Sequence, residues 1–366
     1  MAVQWMTAAE DRLRCCSMFR FAAVLFARIV ALALVVLTLL TLPAAAQVVA
    51  PVSTLLEELA SRHELEPLKT VIVARDGKVL AERGYRGNRV TDSTNIKSAS
   101  KSIISALVGI AIDKGLLEGP DQKIAPILKT DLPASPDPRI NDITIGNLLS
   151  MQAGLGRLSG PNYGRWVASS NWVRTALAQP FDDDPGGAML YSTASTHLLS
   201  AILTKVSGRS TLALARDWLG PLDGFRIGSW DRDPQGIYLG GNQMAMSARS
   251  LLAFGELYRN GGRATSGQQL VSSEWIAASW QHRTNSRFSG DEYGYGWFDR
   301  QIAGEEVHFA WGYGGQMLYI VPSLDLTVVM TSAESGPSAR NGYRDALHFV
   351  LGEIITRVEA APETDG

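Results

Sequence analysis

The sequence has little cysteine. Of 366 residues only Cys15 and Cys16 are cysteines, and both precede a long apolar run near the N-terminus. If that leader is removed the remaining chain has no thiol, which excludes a disulfide framework, a thiolate nucleophile and a cysteine metal site. Histidine is scarce as well: His63, His197, His282, His308 and His348 form no H-E-x-x-H or other close ligand pair, so no metal centre is expected. The chain carries no G-x-S-x-G elbow and no G-x-x-x-x-G-K-[ST] loop, which argues against an α/β-hydrolase and a P-loop nucleotide site. Charge of one sign is not in excess either. There are 34 basic and 36 acidic residues, and removing the leader leaves 30 against 34, with no basic surface to attract nucleic acid. The acidic run Asp182-Asp183-Asp184 reads as solvated loop rather than cation site. No repeat or low-complexity tract follows residue 46.

The leader is the first feature that is present. Arg12, Arg14, Arg20 and Arg28 precede the apolar stretch Ile29 to Leu42, and Pro43-Ala44-Ala45-Ala46-Gln47 offers a small-residue cleavage site. Residues 1–46 are therefore expected to be a secretory signal cleaved after Ala46, with a periplasmic or secreted product. An uncleaved inner-membrane anchor is the competing reading, and it would be the chain's one membrane contact. Residues 47–366, in a chain 46% hydrophobic and 19% charged, can bury a large core. They are expected to form one composite domain, with an α/β part over about 50–120 and 237–366 and a helical part over about 121–236. A hairpin is expected around Asp76-Gly77, strands over 306–309, 317–321 and 326–331, and helices over 53–63, 247–258 and 342–355. Strands at both ends with helices between them predict an α+β fold: an antiparallel sheet flanked by helices, with an inserted all-helical region.

The stretch that carries chemistry is Asn95-Ile96-Lys97-Ser98-Ala99-Ser100-Lys101-Ser102, followed by ten mostly apolar residues that end at Asp113-Lys114-Gly115. It predicts a buried helix from about Ser98 to Lys114. Ser98 and Lys101 stand at i and i+3 on one helix face, and of the eight lysines only Lys101 has a serine at that spacing. A lysine lowered in pKa by burial can take the proton of an alcohol, and the free N–H at the helix start can hold the resulting oxyanion. Two later segments add to this site. Tyr191, in Tyr191-Ser192-Thr193, could shuttle protons from the start of a helix. In Trp311-Gly312-Tyr313-Gly314-Gly315-Gln316 the glycines let backbone approach a ligand, so an N–H near Tyr313 could be a second oxyanion donor.

Taken in order, Ser98-x-x-Lys101, Tyr191-Ser192-Thr193 and Gly312-Tyr313-Gly314-Gly315-Gln316 resemble the three motifs of the serine β-lactamase and penicillin-binding superfamily. The likeness extends from about Val71 to the end of the chain, takes in Leu239-Gly240-Gly241 and Tyr293 to Trp297, and is strongest to the class C-like branch. It implies an acyl-enzyme on Ser98 that needs no cofactor, with Lys101 and Tyr191 managing the proton. Either of the two could be the base. It also implies oxyanion or substrate contacts from Thr193, Gly312, Tyr313 and Gly314, and a small-molecule ester, amide or peptide substrate. The motifs are expected on helix, helix and edge strand. Two departures bear on substrate. Thr193 stands where the class C enzymes carry asparagine, and no cation other than His308 occurs between Arg300 and Arg340 where the third motif normally has Lys or His. Loss of such a charged contact costs roughly tenfold to a hundredfold in affinity, so weak or no β-lactamase activity is expected. An aromatic rim of Tyr293, Tyr295, Trp297, Trp311 and Tyr313 would suit an uncharged group. The alternative is a catalytically silent penicillin-binding-like protein that holds a peptide or cell-wall fragment.

Overall fold

The computed structural model describes residues 44–336 and 341–360, with side chains from residue 51 onward. The expected secretory segment falls on residues outside this range, apart from its last three, which begin helix α1 (Ala44–Glu58). Among the described residues no helix is long and apolar enough to cross a membrane. Residues Pro51–Ala360 form one compact unit.

Strands β1 (Leu68–Arg75) and β2 (Lys78–Gly84) close around Asp76-Gly77, whose φ angles of 48° and 74° give the two left-handed residues that a tight hairpin needs. β3 (Ser93–Asn95), β4 (Ser229–Trp230) and β5 (Met244–Ser247) make a small antiparallel sheet in the order β3-β5-β4. The remaining strands are β6 (Thr284–Asn285), β7 (Glu292–Tyr293), β8 (Phe298–Ile302), β9 (Glu305–Gly312), β10 (Gln316–Val321) and β11 (Leu326–Ser332). Among the described residues the last strand, β11, pairs with the first, β1, to complete an eight-stranded antiparallel sheet in the order β2-β1-β11-β10-β9-β8-β7-β6.

The helices that follow α1 are α2 (Ser100–Asp113), α3 (Ile145–Leu149), α4 (Tyr163–Val167), α5 (Trp172–Leu177), α6 (Thr193–Ser207), α7 (Thr211–Trp218), α8 (Ala248–Arg259), α9 (Ser273–Trp280) and α10 (Tyr343–Glu359). Both faces of the central strands are covered, which is why every residue of β10 and β11 is buried. On β10, Leu318 faces α8, where Gly255 has no room for a Cβ, which would lie 2.5 Å from Leu318. Its neighbour Tyr319 points the other way and bonds His348 of α10 at 3.1 Å.

Helix α2 is the centre of the molecule, with every residue from Ser100 to Ala111 buried. Ile103, Ile104 and Leu107 are fully enclosed, each contributing about 1.5–3 kcal/mol of apolar burial. Gly109 lets the ring of Trp275 on α9 lie flat against the helix, since a Cβ there would come within 2.3 Å of it. Two expectations change here. The helix starts at Ser100 rather than Ser98, because Lys97 at φ +51° turns the chain and leaves Lys97–Ala99 as a single 3-10 turn. The third motif does not lie on an edge strand. β6 to β8 extend the sheet past β9, and β6 and β7 are two residues long, too short to show periodicity.

Candidate active site

The 3-10 turn presents Ser98, half-buried, and the first turn of α2 carries Lys101 beneath it. Lys101 Nζ is 3.1 Å from Ser98 Oγ and donates to Gly241 O at 2.7 Å, with Thr193 Oγ1 at 3.4 Å. Lys101 is 2% exposed, and no carboxylate among the described residues pairs with it. Burial therefore pushes its pKa down, from 10.5 to about 7. A neutral lysine has two N–H groups and one lone pair. In that form Gly241 O and Thr193 Oγ1 can accept its two hydrogens, leaving the lone pair for the hydroxyl of Ser98; as an ammonium it donates to all three oxygens.

Tyr191 lies two residues before α6, ahead of the extended N-cap Ser192 rather than inside the helix. Its ring stands 5.1 Å from Lys101 Nζ and packs against Tyr293 and Phe298. Burial pushes the Tyr191 hydroxyl up to about 12, while a hydrogen bond with Ser98 pulls it back in part. The phenol thus keeps its proton at neutral pH. Thr193 is buried, and its hydroxyl and N–H meet Ser159 Oγ at 3.0 and 2.8 Å. Three rungs join segment 157–159 to the tyrosine motif. Arg157 Nε donates to Tyr191 O at 3.1 Å, Leu158 N–H to Ser192 Oγ at 3.0 Å, and Thr193 meets Ser159.

Gly240 and Gly241 close the far side. A Cβ on Gly240 would lie 2.1 Å from Thr196 O, and one on Gly241, at φ +80°, 2.7 Å from Lys101 Cγ. Only glycine lets this loop reach the lysine. The loop is anchored by a fully buried pair: His197 Nε2 meets Asp233 Oδ2 at 3.1 Å, and His197 Nδ1 accepts from Gly240 N–H at 3.4 Å. Asp233 also accepts from the N–H groups of Gln235 and Ile237. Sequence reasoning assigned no role to Gly241, Ser159, Arg157 or the His197–Asp233 pair. Only the double glycine offered a signal, since the other residues act through segments distant in sequence.

The third motif forms the turn between β9 and β10. Gly312 touches the Ser98 turn, where a Cβ would lie 2.1 Å from Ile96 O, and Gly314 and Gly315 take φ of 87° and 99°. Tyr313 stands 51% exposed at the tip. Neither the Ser98 N–H nor the Tyr313 N–H has a protein acceptor among the described residues. His308 is not a cation for this site: it is buried, bonded to Asp299 and stacked on Trp280. The expected aromatic rim is mostly core. Tyr293, Tyr295 and Trp297 are 1%, 5% and 0% exposed, because the loop that carries them packs on α2, where Ser102 Oγ donates to Gly296 O at 2.7 Å. Trp311 is half-buried, so Tyr313 is the exposed aromatic of that group.

A serine 3.1 Å from a buried lysine, between a helix-rich region and an antiparallel sheet, is the arrangement expected of the serine β-lactamase and penicillin-binding superfamily. Residues 65–353 match the Beta-lactamase family model, and the chain belongs to that family, within the serine β-lactamase and penicillin-binding superfamily. Among curated proteins it is similar to the 6-aminohexanoate-dimer hydrolase of Paenarthrobacter ureafaciens, at 25% identity over 79% of this chain and 78% of that protein. It also resembles a fimbrial assembly protein FimD (serogroup H1) of Dichelobacter nodosus, at 37% identity over 37% of this chain. That match spans about a third of the relative's length (36%). A class C β-lactamase of Rhodobacter sphaeroides superposes with a TM-score of 0.63 at 16% identity, covering 85% of this chain and 99% of that one.

Proposed function

We propose that this protein is a serine hydrolase that cleaves an ester or amide bond through an acyl-enzyme on Ser98. The observation that carries this reading is the lysine: an amine 2% exposed, lowered to about 7, with its nitrogen 3.1 Å from Ser98 Oγ. Lys101 takes the Ser98 proton as Oγ attacks the carbonyl, and the N–H groups of Ser98 and Tyr313 hold the oxyanion. Tyr191, still protonated, relays a proton to the leaving group. Water then attacks the acyl carbonyl, giving its proton back through the same pair, and Ser98 is released. Family membership and the likeness to a named amide hydrolase support the reading. The missing third-motif cation argues for weak or no β-lactamase turnover. Arg12 to Ala46 support an exported protein, in the periplasm or outside the cell.

The test is a panel of short p-nitrophenyl esters, a linear amide dimer and a chromogenic cephalosporin given to the native chain and to Ser98→Ala. Turnover of esters or amides that vanishes in Ser98→Ala, with a serine-reactive phosphonate labelling only the native chain, is expected. No turnover and no label on Ser98 would overturn it in favour of a silent binding protein.

A further inference from the structure

Arg157 is an arginine without an anion. Its Nε donates to the main-chain carbonyl of Tyr191, and its guanidinium carbon stands 4.6 Å from the ring centroid of Phe288. No carboxylate pairs with it among the described residues, and the four N–H hydrogens on its two terminal nitrogens have no protein acceptor there. The arginines whose charge the fold uses internally look different. Arg62 is paired with Glu353, Arg139 with Asp137 and Asp184, and Arg259 with Glu256 and Asp325. At those three the carboxylates raise the pKa, whereas at Arg157 burial lowers it and nothing pulls it back. A half-buried guanidinium whose terminal N–H groups the fold does not use is available to an anion from outside.

Its position says where that anion would be. Segment 157–159 runs beside 191–193, rung by rung. Ser159 is extended (φ −139°, ψ 165°) and turns its hydroxyl to Thr193, which touches Lys101. Arg157 is thus bonded to the main chain of Tyr191, the residue whose ring stands 5.1 Å from Lys101 Nζ, which sets its guanidinium beside the Ser98, Lys101 and Tyr191 group. Phe288, 67% exposed, flanks the guanidinium, supporting its plane and offering an apolar surface next to the charge.

We propose that Arg157 is a substrate-binding residue of the Ser98 cleft that pairs with a free carboxylate, so the preferred substrates are esters or amides bearing a carboxylate at the end of an apolar segment. The proposal rests on Ser98 marking the active site. It also places the charge on the tyrosine-motif side rather than on the β9–β10 turn, where the family's cation is missing. The fork of Arg157, with its remaining N–H groups free, suits bidentate carboxylate binding.

Binding without turnover tests this. The full chain carrying Ser98→Ala is titrated calorimetrically with monomethyl adipate and with dimethyl adipate, alone and combined with Arg157→Gln or Arg157→Lys. Monomethyl adipate is expected to bind roughly tenfold to a hundredfold more tightly than the diester. Arg157→Gln should erase that preference and Arg157→Lys should keep part of it. Equal affinity for the two ligands, no binding of the monoester, or an Arg157→Gln loss that is the same for both would overturn it. In parallel, the chain with Ser98 intact is assayed for hydrolysis of the two esters. A carboxylate preference in binding with no hydrolysis of either ester would sink the acyl-enzyme reading and leave the Arg157 assignment standing.

Discussion

Lys97 and Lys101 stand on either side of Ser98, four residues apart, and the fold gives them opposite surroundings. The Lys97 ammonium lies 3.9 Å from Glu334 Oε2 with its side chain 19% exposed. Lys101 is closed off from water and meets only neutral oxygens, those of Ser98, Thr193 and Gly241. A carboxylate beside Lys101 would hold it as an ammonium, with no lone pair to accept a proton. What lowers the pKa of one lysine is therefore the absence of an anion together with the absence of water. Both conditions come from segments 92 and 140 residues further along the chain.

Replacing Lys101 by Met should break the comparison most completely. Removing a general base lowers turnover by about 10²–10⁴-fold. The same variant should be more stable than the native chain. The folded-state pKa of Lys101 is about 7 against 10.5 for an ordinary lysine, so between those values the unfolded chain binds more protons than the folded one. Native stability then rises with pH across this window by about 1.4 kcal/mol per unit at most and is lowest below pH 7. Urea midpoints should favour Lys101→Met most at pH 6 and least near pH 10.5. An advantage that stays constant across that range would remove Lys101 as the desolvated group.

A subtler change gives Lys101 what Lys97 has. Thr193→Asp places a carboxylate where Thr193 Oγ1 now lies, 3.4 Å from Nζ. An anion that close raises a lysine pKa by roughly 1–3 units. The acid limb of kcat/KM is expected near pH 7 in the native chain, where burial places Lys101, and should move up by that amount, with activity recovering at high pH. An acid limb that stays in place would mean that another group titrates. The smallest effect belongs to Lys97→Gln. It breaks a part-exposed pair with Glu334 and should change unfolding free energy by no more than about 1 kcal/mol while leaving the acid limb unmoved. A shift of that limb would show that Lys97 belongs to the proton pathway.

Much of this architecture was legible in local pattern. The Asp76-Gly77 hairpin, the apolar run of α2, the strands β9 to β11 and the last helix all carry signals within ten or so residues, because turn chemistry and side-chain periodicity are local. The short strands β6 and β7 were not legible, since two residues have no period; with β8, which pairs directly with β9, they carry the sheet past the third motif. In the site, Ser98 and Lys101 were readable as a pair because one helical turn joins them. His308 as the remaining cation and Tyr293, Tyr295 and Trp297 as rim were reasonable expectations that packing reversed: Asp299 and Trp280 enclose the first, and α2 buries the others.

The sequence by itself determined that a serine and a lysine share one face at the head of a buried helix, that Tyr191 and the glycine-rich turn follow in a fixed order, and that the third motif lacks its cation. These are matters of residue type, spacing and local propensity, which no tertiary contact can alter. Only the tertiary structure decided that Lys101 is buried among neutral oxygens and that Arg157 meets no carboxylate among the described residues beside Tyr191. Desolvation and charge pairing depend on which distant segments arrive at a side chain, and Gly241, Thr193, Ser159 and Phe288 reach these positions only when the chain has folded.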